Sequence, residues 1–273
     1  MKNSALAPKT ETGKQYHIQC AEGDVAPSVL MPGDPARVPI FAKSWNTSKE
    51  VAYHREFHTM TGTVDSIPIS ATSSGVGSPS TAIAVDELFR IGVDTIIRVG
   101  STGGLQPGME LGDLVLSTGA VRLDGTSKDL VIPEYPAVAH YEVVMALIQA
   151  AEEYKVRYHV GITASTDTFY TGQGRPAIGN YMPSFKKTIL QDMQSAGVKN
   201  FEMEAATIFT MANLFNKRAG AICFVIANRV TDEFLITEEM ADKAGKVATR
   251  AVVLLSEWDK KKNGKPHLYP ALF

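Results

Sequence analysis

The sequence has little cysteine, little net charge and no long apolar run. Its two cysteines, Cys20 and Cys223, are too few and too far apart for a disulfide framework or a zinc knuckle. The formal net charge of −2 provides no overall basic field for a nucleic acid. The N-terminal stretch is too polar for a signal peptide, and no later stretch is apolar enough to cross a bilayer. We therefore expect a cytoplasmic protein without nucleic-acid or membrane partners.

The composition is that of an ordinary globular protein. Hydrophobic residues make up 44% and charged residues 21% of the 273 positions, which is enough to bury a large core. Short β-rich runs alternate with helical patterns, which is typical of an α/β domain with a central mixed sheet flanked by helices. No repeat or low-complexity linker divides the chain, so the sequence predicts a single domain over residues 1–273, with its core at about 16–257.

The predicted elements follow from apolar periodicity and from turn residues. Strands are predicted at 28–31, 51–64, 67–73 and 95–99 and near 113–121, 158–165 and 220–227. Helices are predicted from Ser78 to Gly92 and near 140–154, 184–196, 204–216 and 238–258. Ser78 has the residue type of an N-cap, Pro79 suits the first helical position and Gly92 suits the C-terminus. Because ligands gather at the carboxyl ends of strands in such sheets, polar motifs at those ends are candidate sites.

The run Gly33-Asp-Pro-Ala-Arg37 follows the first predicted strand. Glycine lets the backbone come close to an anion, and Arg37 would offer a fork of donors to the same anion. Pro-Gly-Asp-Pro is also strong turn chemistry by itself, so a plain turn is the alternative interpretation.

Two histidines, His54 and His58, flank Arg55 in a β-like run. On a helix this spacing could hold a metal ion, but on a strand the two positions are roughly 13 Å apart, too far for one ion to bridge. The sequence therefore predicts no metal here. It keeps Arg55 as a candidate anion contact, with an ordinary exposed strand arginine as the equal alternative.

A second glycine-containing loop, Ser74-Gly-Val-Gly-Ser-Pro-Ser80, lies between a predicted strand and a predicted helix. It resembles a dinucleotide-binding fingerprint, but Ser80 fills the third glycine position, so that interpretation is weak. A helix N-terminus that faces an oxygen-rich site is the simpler account.

Arg98 lies in an apolar strand that runs into Gly100-Ser-Thr-Gly-Gly104. A buried arginine needs a partner, because an unpaired buried charge is too unfavourable. Its sequence neighbours offer hydroxyls and close backbone approach instead of carboxylates. Arg98 and Ser101 are therefore candidate phosphate donors, and a structural salt bridge is the alternative.

Two further motifs place polar groups near predicted strand ends. In the loop 166–175, Gln173 and Arg175 could read the edge of a base, and Phe169 could stack on its face. In Asn200-Phe-Glu-Met-Glu204 the two acids precede a predicted helix. Their negative charges interact favourably with the positive end of the helix dipole, which is the usual reason for acids at such positions. The same spacing puts both acids on one side of an extended chain, where a carboxylate could bind a vicinal diol.

Taken together and in this order, the motifs resemble the nucleoside phosphorylase-I family, most closely its uridine-cleaving branch, over about residues 16–255. The matching strings are Pro32-Gly-Asp-Pro, His54-Arg-Glu-Phe, Arg98-Val-Gly-Ser-Thr-Gly, Val121-Arg-Leu-Asp-Gly, Ser165-Thr-Asp-Thr-Phe-Tyr, Phe201-Glu-Met-Glu and Ile226-Ala-Asn-Arg. The resemblance implies that family's α/β fold and a pentosyltransferase of pyrimidine salvage, which splits uridine, deoxyuridine or thymidine with phosphate as co-substrate. It also implies no organic cofactor and a homo-oligomer built from dimers, usually a hexamer.

The resemblance assigns expected roles to particular residues. Phosphate would be bound by Gly33, Arg37, Arg98 and Ser101, and by Arg55 of the partner subunit. Ribose would be bound by Met203 and Glu204, and closed off by Tyr16 and His17 of the partner subunit. The base would be held by Phe169, Gln173 and Arg175, with Arg229 behind its leaving edge. The expected catalytic set is Arg98, Gln173, Arg175 and Glu204. Some members bind a monovalent cation such as K⁺ between subunits, and Glu56 and Ser80 stand at the matching positions.

The residues leave two alternative functions open. One is a purine nucleoside phosphorylase of the same fold, and the other is a non-catalytic nucleoside-binding protein. Purine departure is helped by a carboxylic acid near N7, and Ala227-Asn228-Arg229 has no acid where purine-cleaving relatives carry one. Asp232 is close in sequence and is the residue that could reverse this interpretation.

Overall fold

The computed structural model describes residues 4–272. The strands are β1 Ser28–Met31, β2 Thr47–His54, β3 Phe57–Val64, β4 Ile67–Thr72, β5 Thr95–Gly104, β6 Leu114–Leu123, β7 Ala137–Val138, β8 Tyr158–Thr166, β9 Asn200–Glu202, β10 Arg218–Asn228 and β11 Glu233–Phe234. The helices are α1 Arg37–Ala42, α2 Ser78–Arg90, α3 Thr126–Leu130, α4 Tyr141–Glu153, α5 Ile189–Ser195, α6 Ala205–Leu214 and α7 Glu238–Lys262. Short 3₁₀ turns lie at Thr171–Gln173, Ile178–Asn180, Ser184–Lys186 and Pro270–Leu272. Across this part of the chain, no helix combines the length and the apolar character needed to cross a membrane.

The strands form one mixed sheet of 11 strands. Part of it closes into a ring, in which β10 pairs parallel with β5 and antiparallel with β6, β8 pairs parallel with β6 and β9, and β9 returns antiparallel to β5. From β5 the sheet continues outward through β1, β4, β3 and β2. The predicted α/β fold with a central mixed sheet flanked by helices is confirmed, and the predicted domain bounds stay a prediction.

Helices bury the apolar faces of the sheet in two separate core clusters. In one cluster α1, α4 and α7 pack against the strands around Phe41 and Phe224, which are both fully buried. In the other, α2 and α6 pack around Leu88 and Phe209. Most of α6 is buried, as expected for a helix that is apolar on nearly every side. This enclosed helix fixes the segment that precedes it, which carries the acids of the predicted ribose site.

The strand predicted at 95–99 continues through the glycine-rich motif to Gly104. Almost all of its residues are buried, because β5 has hydrogen-bonded neighbours on both sides. A Cβ at Gly100 would lie 2.7 Å from Nη2 of Arg98, so the missing side chain lets the guanidinium lie over the strand. The glycines therefore accommodate the arginine instead of ending the strand.

The single strand predicted at 51–64 is wrong. The chain forms a hairpin there, with His54 paired to Phe57 across a two-residue turn in which Arg55 has a φ of 56°. His54 and His58 therefore do not lie on one extended strand, although that geometry was the reason for rejecting a metal. In the structure Nδ1 of His54 lies 2.9 Å from the carbonyl oxygen of His17, and Nε2 of His58 lies 2.9 Å from the carboxylate of Glu50.

Two predicted helix starts also differ from the structure. Gly77 occupies the N-cap of α2, and the Ser78 hydroxyl donates to the carbonyl of Met203 at 2.9 Å instead of capping the helix. The helix predicted at 184–196 is reduced to α5, preceded by a 3₁₀ turn after Pro183. The other predicted helices and strands are confirmed to within a few residues.

Candidate active site

A cavity opens where β1, β5, β8, β9 and β10 reach their ends. It holds about 260 Å³, close to the lower limit of the range of about 300–1,000 Å³ typical of small-ligand sites. The predicted site residues that line it are Gly33, Arg37, Arg98, Ser101, Phe169, Gln173, Arg175, Met203 and Glu204. Residues as far apart in the chain as Gly33 and Phe234 thus meet at one edge of the sheet, where an α/β fold places its ligands.

Arg98 lies between two carboxylates. Its Nε donates to Oε2 of Glu202 at 2.7 Å, and its Nη2 lies 2.5 Å from Oε2 of Glu204. Burial disfavours the charge of Arg98, but the two acids outweigh that effect and raise its pKa above the ordinary value. The sequence neighbours of Arg98 offer no carboxylate, and these two acids come from a distant segment of the chain. The alternative of a salt bridge is present, and Nη1 of Arg98 has no hydrogen-bond partner within residues 4–272.

Glu204 is held from two sides. Its Oε1 accepts the backbone N–H of Gly77 at 2.6 Å, while its Oε2 pairs with Arg98. Burial raises the pKa of Glu204, Arg98 opposes that shift and the neighbouring Glu202 adds to it. Gly77 has a φ of 94°, a conformation that glycine adopts far more readily than other residues. In the structure the backbone N–H of Gly77 therefore binds the carboxylate of Glu204, so this N–H is not available to a dinucleotide phosphate.

The predicted phosphate residues cluster beside this ion pair. Nη2 of Arg37 donates to the hydroxyl of Ser101 at 3.3 Å, and its guanidinium lies 4.9 Å from the centre of the Phe224 ring. Burial lowers the pKa of Arg37, and the neighbouring Arg98 adds to this effect while Asp34 opposes it. No ion pair of Arg37 is found among the described residues, so its charge is available to an anion.

The predicted base residues form a second group at the other end of the cavity. Nη1 of Arg175 donates to Oε1 of Gln173 at 2.7 Å and to the carbonyl of Phe169 at 3.0 Å. The guanidinium of Arg175 also lies 4.2 Å from the centre of the Phe169 ring. Nη1 of Arg229 donates to the carbonyl of Gln173 at 2.9 Å. Burial, with a smaller effect of Arg229, lowers the pKa of Arg175 to about 10, so it is charged at neutral pH.

Four predicted substrate residues do not line the cavity of their own chain. Arg229 lies behind Gln173, and the other three are Tyr16, His17 and Arg55. Tyr16 and His17 contact each other edge to face at 4.8 Å, and the guanidinium of Arg55 lies 5.6 Å from the centre of the Tyr16 ring. His17 is anchored to Glu87, which accepts from its backbone N–H and from its ring Nδ1 at 2.7 Å. The three residues form one surface group apart from the cavity, the arrangement expected if they serve the site of a partner subunit.

The two residues predicted near a monovalent cation both lie close to Gly75. A Cβ at Gly75 would be 2.7 Å from Cγ of Glu56 and 3.0 Å from the hydroxyl of Ser80. A carboxylate and a hydroxyl are the hard oxygen donors that such a cation prefers, so the residues fit the group. The cation itself stays a prediction.

Two features of the site were missed from the sequence. Glu202 was seen only as one of two acids before a helix, although it is the partner of Arg98 Nε. The signal that could have identified it is the alternation on an extended segment, which puts Glu202 and Glu204 on one side together. Asn228 belongs to the stretch 227–229, where purine-cleaving relatives are expected to carry an acid. Its side chain has a structural role, because it donates to the Met109 carbonyl and accepts from the N–H of Val230.

Asp232 lies outside the cavity lining. It is exposed in the turn after β10, where it has a φ of 62°. Its negative charge opposes the lowering of the Arg229 pKa that burial causes. The acids that line the cavity are Asp34, Glu202 and Glu204, all near Arg37 and Arg98 and away from the base end. The structure therefore does not place Asp232 where it could protonate a purine.

Comparison with known proteins identifies the family of this chain. The family model described as "Phosphorylase superfamily" matches residues 27–257. The uridine phosphorylase of Thermococcus kodakarensis is 56% identical over 271 residues, covering 98% of this chain and 97% of that protein. The uridine phosphorylase of Escherichia coli strain K12 is 41% identical over 229 residues, covering 82% of this chain and 90% of that protein. The guanosine phosphorylase of Halorubrum lacusprofundi is also 41% identical, over 217 residues, covering 80% of this chain and 85% of that protein. A family match of this extent, together with relatives that cover nearly the whole chain, establishes that the chain belongs to the phosphorylase superfamily.

Proposed function

We propose that the protein is a pentosyltransferase that splits uridine with phosphate to give uracil and ribose 1-phosphate. The observation that carries this proposal is the base end of the cavity, where Gln173 and Arg175 are hydrogen-bonded to each other and no carboxylate of residues 4–272 pairs with Arg175. The relatives favour the same base, since the relative named for uridine is 56% identical over 98% of the chain and the one named for guanosine is 41% identical over 80% of it.

The proposed chemistry at the sugar needs position and charge, with no covalent intermediate. Phosphate bound by Gly33, Arg37 and Ser101 and by the unengaged edge of Arg98 would attack the anomeric carbon as the glycosidic bond breaks. Glu204 accepts the ribose hydroxyls and thereby orients the sugar. The ribose develops oxocarbenium-like positive charge, which the phosphate below it stabilises.

The base end accounts for the choice of uracil. Uracil presents an acceptor, a donor and an acceptor at O2, N3–H and O4. The Gln173 amide satisfies the first two and Arg175 donates to the third. Because Arg175 already binds Oε1 of Gln173, it also fixes which way the amide points. Its positive charge stabilises the departing uracil anion without a proton transfer, and Arg229 supports the same loop from behind.

The site is proposed to be completed by a partner subunit. Tyr16, His17 and Arg55 would close over the ribose and phosphate of the neighbouring chain, which makes a dimer the smallest complete unit and a hexamer of three dimers the expected assembly. No organic cofactor is proposed, and K⁺ is proposed between Glu56 and Ser80. The same proposal places the enzyme in the cytoplasm, in pyrimidine salvage.

Mixing two inactive variants tests the shared site. Arg55→Ala removes the residue given to the neighbour, and Glu204→Gln removes the receiving carboxylate. In a mixed dimer one site carries both defects and the other carries none, so an exchanged equimolar mixture regains about a quarter of the wild-type activity. Each variant alone serves as the control. A mixture whose subunits have exchanged but that stays inactive would contradict a shared site.

The proposed reaction is tested by following base release from uridine, inosine and guanosine, each with and without phosphate. We expect loss of uridine only, and only with phosphate present. Inosine or guanosine cleavage in place of uridine would establish the purine alternative. Binding of uridine without release of uracil would establish a nucleoside-binding protein.

A further inference from the structure

Glu202 is a carboxylate that accepts from four donors within the protein. Its Oε2 accepts from Nε of Arg98 at 2.7 Å and from the backbone N–H groups of Glu204 at 2.9 Å and Ala205 at 2.8 Å. Its Oε1 accepts from the hydroxyl of Ser165. These four donors and the complete burial of its side chain, which is 0% exposed, commit Glu202 to contacts within the protein.

Glu204, two residues later, accepts from fewer donors than Glu202. One donor binds its Oε1 and one cation pairs with its Oε2, so each oxygen keeps accepting capacity. Its side chain is 4% exposed, whereas that of Glu202 is 0% exposed. The two acids therefore divide the work: Glu204 can bind ribose hydroxyls, and Glu202 can act only through the groups that it holds.

We propose that Glu202 is a positioning residue that holds Arg98 by its Nε edge and Glu204 by its backbone, so that the phosphate and ribose contacts are set by one buried carboxylate. The proposal rests on the function proposed above. Arg98 is held at Nε by Glu202 and at Nη2 by Glu204, which leaves Nη1 for a ligand. The N–H groups of Glu204 and Ala205 belong to the start of α6, so the same carboxylate caps that helix.

The charge of Glu202 has a second consequence. The groups that face Glu204 are Arg98 from β5, Glu202 from β9, Arg37 from α1 and Cys223 from β10. Burial is the main cause that raises the pKa of Glu204, and Glu202 raises it further while Arg98 lowers it. Removing the charge of Glu202 alone therefore lowers the pKa of Glu204.

Two substitutions separate geometry from charge. Glu202→Asp keeps the charge but withdraws the carboxylate by one methylene, so it cannot hold Arg98 and the α6 backbone together. We expect the KM for phosphate to rise about 10-fold, as for the loss of one charge-assisted contact, and the KM for uridine to rise as well, because the backbone of Glu204 is no longer held in place.

Glu202→Gln keeps the size and an acceptor oxygen but removes the charge. We expect no rise in the KM for phosphate. Uridine binding, measured by calorimetry without phosphate, weakens as the pH falls through the pKa of Glu204. In Glu202→Gln this loss occurs at lower pH than in the wild type, which a purely structural role of Glu202 would not produce.

The matched control is Glu142→Asp, which shortens another buried acid. Glu142 is paired with Lys262 at 2.9 Å and lies away from the cavity. It is expected to lower the Tm without changing the KM for phosphate. The inference is overturned if Glu202→Asp folds with a wild-type KM for phosphate, or if Glu202→Gln binds uridine with an unshifted pH dependence. If Glu202→Asp does not fold, the pH dependence of Glu202→Gln decides alone. Failure of the wild type to cleave uridine with phosphate would instead refute the proposed function.

Discussion

The two ends of the cavity hold their arginines in opposite ways. At the phosphate and ribose end, Arg98 is 5% exposed and paired with two carboxylates, which raise its pKa. At the base end, Arg175 and Arg229 form no ion pair within residues 4–272 and contact only carbonyl and amide oxygens and a ring. Burial lowers the pKa of both. The charge of Arg98 is balanced without a ligand, while the base end keeps positive charge that a ligand can neutralise.

The difference corresponds to what each end is proposed to do. A nucleophile and a sugar must be held in a fixed geometry, and a guanidinium clamped between acids supplies it. A departing uracil needs uncompensated positive charge at the moment when negative charge develops, and a carboxylate beside Arg175 would cancel that charge. Arg37 is the exception at the phosphate and ribose end. It forms no ion pair within residues 4–272, so its charge is available to an anion.

The largest expected effect concerns the base end and needs no mutation. Cytidine presents an amino donor to Arg175 and lacks the N3–H that Gln173 accepts. We expect its kcat/KM to be about 10⁴-fold below that of uridine, since buried polar groups would be left mismatched. Deamination of cytidine is excluded by following cytosine and uracil separately. Cytidine cleavage within about 100-fold of uridine would show that this pair does not read the base.

A smaller effect is expected from the unpaired arginine at the phosphate end. Arg37→Met removes one charge-assisted phosphate contact, so kcat/KM for phosphate falls by about 10- to 150-fold. Uridine binding without phosphate stays unchanged, as measured by calorimetry. Arg90→Met, which removes an exposed arginine from α2, is the control and leaves both quantities alone. An equal loss of uridine binding in Arg37→Met would place this residue elsewhere in the site.

The smallest expected kinetic effect tests the geometry of the paired end. In Gly100→Ala the new Cβ would lie 2.7 Å from Nη2 and 2.8 Å from Cζ of Arg98, so the guanidinium must shift. We expect kcat/KM for phosphate to fall by about 10-fold with little change in Tm. Gly104→Ala is the control in the same strand, because its Cβ would lie 3.3 Å from Met109 and Val225 instead. Wild-type kinetics in Gly100→Ala would show that the position of Arg98 is not critical.

The sequence predicted the fold class and most elements because their patterns are local. The long apolar strands and the amphipathic helices carry periodicities that can be read without the tertiary structure. The hairpin at Arg55 was missed because its turn lacks the asparagine or glycine that marks such turns. The short α5 was overestimated because polar residues of the preceding turn continue the helical pattern.

The site could be predicted residue by residue only through the resemblance of the combined motifs. The residue types suggested anion contacts at Arg37 and Arg98 and base contacts at Gln173 and Arg175. The partner of Arg98 could not be predicted from its neighbours, because Glu202 is 104 positions away and approaches it only through the closure of the sheet. Glu202 and Glu204 differ in the number of donors from which each carboxylate accepts. That number depends on backbone N–H groups whose positions no sequence pattern shows.

The comparison between the two ends is tested most directly by the thermal stabilities of Arg98→Met and Arg175→Met at one protein concentration. Arg98→Met leaves two buried carboxylates without their cation, so the free energy of unfolding should fall by about 3–5 kcal/mol and the Tm by several degrees. Arg175→Met removes a cation that has no acidic partner, so its stability should stay within about 1 kcal/mol of the wild type. This pattern would confirm a paired end and an unpaired end. Equal losses in the two variants, or a wild-type Tm in Arg98→Met, would contradict it.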